Sequence, residues 1–376
     1  MVVKEICAKS ILRKYKRIDS WFISCYGMNF YRGCLHNCIY CDGRNEKYQV
    51  DGNFGEDVVV KINAVDILKN ELRPSSRKKP LKPCFFMLGG GVGDSYQPIE
   101  ETYQITRNAL HLMKRYRLPI SILTKSTLIK RDIELLKEIN EQSRVLINMS
   151  FSSTNDEISS IFEPGVTPPS KRLGTLKAFK DQGFSCGMFL MPVIPFITDT
   201  ADIMRQTIQD AADAGIDYII FSGMTLKQGR QKEYFYQILR KYYLHLMVQY
   251  ENIYKNNKWG QTIPAYYKSI NSTFNTIMKA YHLPKRIPGK LFVDILNEND
   301  FVSVILDQMD YLMKTQGKKS PFGYASYQIS KLNDPVSSMR YELQNIRGIG
   351  RYTEKIIQEL IDTKTCKLYV KLLYSK

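Results

Sequence analysis

The chain has 376 residues, 44% of them hydrophobic, and carries 54 lysines and arginines against 37 aspartates and glutamates, a formal charge of +17. That length and apolar content are enough for one large domain or two to three smaller ones around a sizeable core, which excludes wholesale disorder. The start, MVVKEICAKSILRKYKRID, has no apolar run of signal-peptide length, and no later window reaches the ~18 apolar residues of a membrane span. Eight cysteines without an export signal then point to a reducing, cytoplasmic setting rather than a disulfide framework, with no membrane partner. The positive balance, accompanied by 25 tyrosines, suits a polyanion, because each cation that neutralises a phosphate releases counterions. A lysine-rich proteome would give the same charge without such a partner.

Residues 1–25 read as a lead-in. From about residue 20, short apolar runs alternate with amphipathic helical stretches. SWFISCYGM predicts a first strand, VVVKI a short extra strand, and NAVDILKNELR a helix. CFFML predicts a second strand that runs into GGGVG, and EETYQITRNALHLMKRY one helix after it. ISILT and RDIELLKEINEQ form the third strand and helix; RVLINMSF and PPSKRLGTLKAFKDQG, with proline near its start, form the fourth. CGMFLMPVIP, TADIMRQTIQDAADAG and DYIIFSG complete a fifth unit and a sixth strand, and EYFYQILRKYYLHLMVQYENIYK predicts one long helix. Strands alternating with helices imply right-handed parallel units. Six units fall short of a closed barrel, so the expected fold is α/β: a partial (β/α)6 TIM-type barrel over 26–228 with its active site at the mouth, where the loops after the strands gather. Residues 229–333 read as a helical, tyrosine- and lysine-rich extension packed on the barrel, and 334–376 as a separate terminal signal.

The stretch YRGCLHNCIYCDGR holds Cys34, Cys38 and Cys41, separated by three residues and then two, in the loop after the first strand. Such short gaps let one loop turn its sulfurs to one metal centre, and thiolates suit iron–sulfur clusters or zinc. A zinc site with His36 as fourth ligand, or a chance cluster of buried thiols, stays open on spacing alone. The other five cysteines read as buried small hydrophobes. With Tyr40 before the third cysteine, the loop resembles the signature of the radical S-adenosylmethionine (SAM) superfamily. There, three thiolates hold a [4Fe–4S] cluster and the free iron takes the amino and carboxylate groups of SAM. The resemblance implies that the barrel is a radical SAM core. It implies SAM contacts at Tyr40, at Gly90, Gly91 and Asp94 of the glycine loop, at Lys125 in LTKS, and at Ser150 ending the fourth strand. Arg172 in PPSKR would pair with the SAM carboxylate, and Val193 in MPVIP would cover adenine. Singly, each of these is also a plain tight turn, a solvated charge or a core residue.

YRGCLHNCIYC, GDSYQPIE, LTKS, FEPGVTPPSKR, MPVIP and LPKRIP, in that order over roughly residues 26–290, are similar to the spore photoproduct lyase-like (DNA repair photolyase-like) group. This implies reductive cleavage of SAM to a 5′-deoxyadenosyl radical, a reductant such as flavodoxin or ferredoxin, and in the lyase itself repair of a thymine dimer. The lyase has a hydrogen-donating cysteine after its second strand, where this chain aligns Gly91, with Cys84 too early. The lyase also tends to have tyrosine after the third cluster cysteine, where this chain has Asp42. The same cofactor chemistry on a different substrate is therefore expected.

Finally, LQNIRGIGRYTEKIIQEL resembles a helix–hairpin–helix motif, with Gly348 and Gly350 in the hairpin. Backbone N–H groups at the second helix would take a phosphate, and Arg347, Arg351 and Lys355 would add charge. An ordinary helical turn or a protein-interaction module reads the same way. The expected function is thus a radical SAM enzyme acting on nucleic acid, DNA before RNA. The alternatives are radical chemistry on a protein or small molecule, and a metal-stabilised nucleic-acid-binding protein without catalysis.

Overall fold

The computed structural model of the protein describes residues 2–48, 52–76, 79–89, 92–255 and 258–374. In chain order the strands are β1 (Val3–Ile6), β2 (Leu12–Asp19), β3 (Ser24–Met28), β4 (Tyr31–Arg32), β5 (Val58–Lys61), β6 (Phe85–Leu88), β7 (Ile120–Thr124), β8 (Val145–Phe151), β9 (Ser185–Val193) and β10 (Tyr218–Gly223). The larger sheet has the order β10-β9-β8-β7-β6-β3-β2. From β3 to β10 every neighbour is parallel, and only β2 runs antiparallel to β3. Every residue of β6 and β8 is buried, as continuous apolar strands are when helices cover one face and a packed lumen the other. The connecting helices are α1 (Ala64–Leu72), α2 (Glu100–Tyr103), α3 (Ile105–Arg115), α4 (Ile133–Gln142), α5 (Asp156–Phe162), α6 (Pro169–Asp181) and α7 (Ala201–Asp213). This is the expected partial barrel of parallel strand–helix units.

After β10 come α8 (Arg230–Tyr242), α9 (Met247–Ile253), α10 (Pro264–Met278), α11 (Glu298–Thr315), α12 (Phe322–Ile329), α13 (Arg351–Thr363) and α14 (Lys367–Leu373). They cover the barrel's open side. The Pro284 carbonyl accepts from Ile219 N (2.9 Å) at the free edge of β10. Across the gap, Gln308 Nε2 on α11 donates both to Ile287 O (3.1 Å) and to Ser20 O (3.2 Å), beside β2. One buried apolar cluster consequently runs from Ile11 to Leu373.

Several elements differ from the sequence expectation. The lead-in contains two strands: β1 pairs with β5 in a small sheet with β4, and β2 forms the edge of the large one. The helix expected over residues 100–116 breaks at Gln104 (φ 49°), because the Glu100 carboxylate takes Thr106 N (2.9 Å) and Arg107 N (3.1 Å), capping α3 from the preceding turn. The long helix expected over 233–255 turns at Tyr243, whose ring stacks on Phe162 while Tyr250 folds back on Phe235. Aromatic packing outweighs helix continuity there. In the terminal segment, Leu343–Asn345 is a short 3-10 turn and not the first α-helix of a hairpin pair. The backbone before it is held by the Gln358 amide on Arg340 O and by the Arg340–Asp362 ion pair.

Candidate active site

The loop after β3 is clamped by the loops after β6 and α5. Asp94 receives His36 Nε2 (3.0 Å), Thr124 Oγ1 (2.8 Å), Lys125 N (2.8 Å) and Tyr96 N (2.8 Å). Burial would raise this carboxyl, but those hydrogen bonds outweigh it and hold it below the usual range. Gln97 accepts from Leu35 N (2.9 Å) and donates to Gly33 O (3.2 Å). From the other side, Ile39 N donates to Phe162 O (2.8 Å) and Gly165 N to His36 O (3.1 Å). Arg44, buried and 3.7 Å from the Tyr234 ring centroid, bonds the Cys38, Asn37 and Phe54 carbonyls from below. The second nitrogen of His36, Nδ1, lies 3.2 Å from Gly165 O, so both ring nitrogens are turned to acceptor oxygens of the protein.

Held this way, Cys34, Cys38 and Cys41 line one cavity of about 390 Å³ at the C-terminal ends of the parallel strands. None is in a disulfide. Burial pushes the Cys38 thiol up to about 12 and raises those of Cys34 and Cys41, so metal must displace protons to bind there. Among the described residues no three His, Cys, Asp or Glu side chains converge on a point as a single ion requires. The cavity wall also includes Tyr40, Asp94, Lys125 and Ser150, as expected, Gly93 of GDSYQPIE and Met191 and Pro192 of MPVIP, and Thr225, which lies outside every motif read from the sequence. Gly90 and Gly91 lie outside the described residues.

Two expected cofactor contacts stand elsewhere. Arg172 is fully buried, bonded to Ser150 O and ion-paired with Glu163, and does not line the cavity. Val193 is buried beyond the wall, and Met191 and Pro192 face the cavity instead. Glu163 gathers the cluster: it accepts from Tyr40 OH, Lys125 Nζ (2.9 Å), Ser159 Oγ (2.9 Å) and Arg172. Burial alone would raise it, but Arg172 and Lys125 hold it well below the usual carboxylate range. Asp42, the residue after the third cysteine, ties the loop to the β10 side through Lys227, Thr225 Oγ1 (2.9 Å) and the buried Gln231 (3.0 Å).

A larger cavity, about 720 Å³, adjoins the first across Phe22 and Val92, which line both. Its walls carry Arg13, Tyr15 and Arg17 from β2, then Trp21, Tyr48, and Ser303 and Asp307 from α11. Its carboxylates are tied internally: Asp19 accepts from Trp21 N (2.8 Å) and Phe22 N (3.1 Å), and Asp307 from Ser20 Oγ. The residues expected to take phosphate are separate from both cavities. Gly348 (φ 85°) turns the chain, Gly350 precedes α13, and Arg347, Arg351 and Lys355 lie around that helix start.

The profile of the Radical SAM superfamily matches residues 28–206. An uncharacterized protein of Mycobacterium bovis is 31% identical over 271 residues, which cover 71% of this chain and 76% of the relative. An uncharacterized protein of Methanocaldococcus jannaschii is 30% identical over 211 residues, 56% of this chain and 74% of the relative. Among solved structures, a cysteine-to-serine mutant of spore photoproduct lyase is similar at a TM-score of 0.56 and 16% identity, over 74% of this chain and 79% of that one. A double mutant of the lyase with bound AdoMet and dinucleoside spore photoproduct gives 0.53 and 17%, over 72% and 78%. At such identity the likeness is one of fold. The parallel half-barrel, the cysteine loop at its mouth and these matches agree: the chain belongs to the radical SAM superfamily, whose enzymes use a [4Fe–4S] cluster and SAM.

Proposed function

We propose that this radical SAM enzyme acts on nucleic acid, with Cys34, Cys38 and Cys41 holding the cluster and the smaller cavity holding SAM. The donor set fits the group: three unbridged thiols, those of Cys34 and Cys38 buried and that of Cys41 half-buried, face one cavity, and His36 is committed to Asp94 and Gly165. When bound, cluster and SAM together supply a 5′-deoxyadenosyl radical that removes hydrogen from a substrate. The chain's own residues do the rest. Lys125 presents a cation to the cavity, steadied by Glu163 and by Ser150 Oγ (3.1 Å), where it suits the SAM carboxylate. Tyr40 fixes the cysteine loop through its bond to Glu163, and Arg172 stands behind as a positioning residue. Met191 and Pro192 offer an apolar wall for adenine.

The observation that carries the nucleic-acid reading is the adjoining cavity. Arginines at 13 and 17 match phosphate, and Trp21, Tyr15 and Tyr48 offer ring surface to a base, in a cavity that shares Phe22 and Val92 with the cofactor cavity. The lyase's own hydrogen-return route is not proposed. Cys84 lies against Cys25 (Sγ–Sγ 3.3 Å) at the start of β6, the opposite end of the strand from the cavity. The test is release of 5′-deoxyadenosine by anaerobically reconstituted, dithionite-reduced protein with and without single-stranded and duplex nucleic acids. Stimulation by nucleic acid that weakens severalfold in Arg13→Ala/Arg17→Ala is expected. Stimulation by peptides or small metabolites alone would favour the other substrate classes.

A further inference from the structure

The larger cavity does not end at its rim. Arg17 lines it and also lies over the exposed ring of Tyr327 on α12, its Cζ 5.3 Å from the centroid. Lys331 Nζ covers the same ring at 3.9 Å. One helical turn back, Tyr324 is 6.4 Å from Tyr327, centroid to centroid, on the same face of α12. Against Tyr324 rests the turn at Gly348, where a Cβ would sit 2.2 Å from Tyr324 Cδ1, so only glycine lets the chain approach that closely. Beyond it, α13 begins at Arg351, and exposed Tyr352 packs on Phe322 at 6.1 Å. The contacts therefore run without a break from the larger cavity to the Gly348 turn. This run carries the exposed rings of Tyr324, Tyr327 and Tyr352 and the cations Arg17 and Lys331, with Arg351 at its far end.

An exposed tyrosine carrying two cations and facing solvent has little value to a core, and α12 buries its opposite face through Phe322, Ala325 and Ile329. Exposed rings and cations together on one surface instead suit an unpaired strand, whose splayed bases can stack on the rings and whose phosphates can pair with the cations. A duplex keeps its base faces stacked inside and shows phosphates, sugars and base edges only, so it would leave the rings without a base to stack on. We propose that β2, α12 and the Gly348 turn form a track for single-stranded nucleic acid, which delivers one nucleotide into the cavity beside the cofactor site. The proposal rests on the nucleic-acid reading above and adds the form of the partner and the surface that holds it.

The test is fluorescence anisotropy with the reconstituted holoprotein and SAM, using labelled single-stranded DNA and RNA of about 20 nucleotides and their duplexes. The expected result is that a single strand binds about tenfold or more tighter than its duplex at the same salt. Tyr324→Ala/Tyr327→Ala should weaken that binding by about tenfold or more, from lost stacking. Tyr327→Phe, which keeps the ring, should hold most of the affinity, and Tyr341→Ala, an exposed tyrosine off the track, should leave it unchanged. Melting curves confirm that the variants are folded. Equal binding of strand and duplex, or wild-type affinity in the double variant, overturns the track. If nucleic acid still stimulates SAM cleavage in that case, the reading of the site stands alone. If no nucleic acid binds or stimulates, that reading falls and takes the track with it.

Discussion

Glu163 shows most clearly how single residues build this site. One carboxylate takes hydrogen bonds from Tyr40, Lys125, Ser159 and Arg172, in a place with no exposure to water. Removing its charge strands the guanidinium of Arg172 and loosens Lys125 at the cavity wall. Glu163→Gln is therefore expected to cost about 3–5 kcal/mol of stability, as breaking a buried pair does. The sign of its pH dependence follows from a carboxyl held low in the folded state. Its stabilisation is fully present above the ordinary value of 4.5 and is lost as the pH falls toward the folded value. Urea titrations should thus show a wild-type minus variant difference that is flat above about pH 5 and shrinks in acid. A difference that grows in acid would contradict the account. Arg172 looked from sequence like a cofactor contact, since an arginine at a helix start reads as exposed; only the fold reveals the glutamate that consumes it.

At the scale of elements, the cysteine loop has its shape because three other loops lean on it. GDSYQ supplies Asp94 and Gln97, FEPG supplies Phe162 O and the close approach at Gly165, and the loop after β10 grips Asp42. A Cβ at Gly165 would lie 2.5 Å from Leu35 O and 2.8 Å from His36 O, backbone atoms between the first two cysteines. Gly165→Ala is expected to displace that loop while the barrel folds: iron and sulfide per chain after reconstitution should fall well below wild type, with far-UV circular dichroism unchanged. Full iron loading in the variant would show that the clamp is dispensable. Each of these short runs was legible in the sequence as a piece, and so were the parallel strands, whose apolar runs are continuous. Their mutual bonding was not, because it joins residues far apart in the chain, such as Leu35 to Gln97 and Asp42 to Gln231. Strand β2 was missed for a different reason. LRKYKRID is an edge strand with nearly every side chain half-buried or exposed, so it carries no apolar alternation.

At the scale of the molecule, α11 joins Ser20, beside β2, to Ile287 of the segment whose Pro284 meets the edge of β10, and with β2 and β3 it walls the larger cavity. Arg13, Arg17, Tyr15 and Tyr48 line that cavity, in a chain whose formal charge is +17. No helix among the described residues is long and apolar enough to cross a membrane. The two cavities adjoin across Phe22 and Val92, and contacts through Arg17, Tyr327 and Tyr324 lead from the larger one to the Gly348 turn. The measurement that tests this account most directly is 5′-deoxyadenosine release by reduced, reconstituted protein in the presence of nucleic acid, beside a Cys38→Ala control. The account predicts release by the wild type, raised by nucleic acid, and none by the variant. A wild type that carries a full cluster, binds SAM and releases nothing above the Cys38→Ala control with any nucleic acid would contradict it.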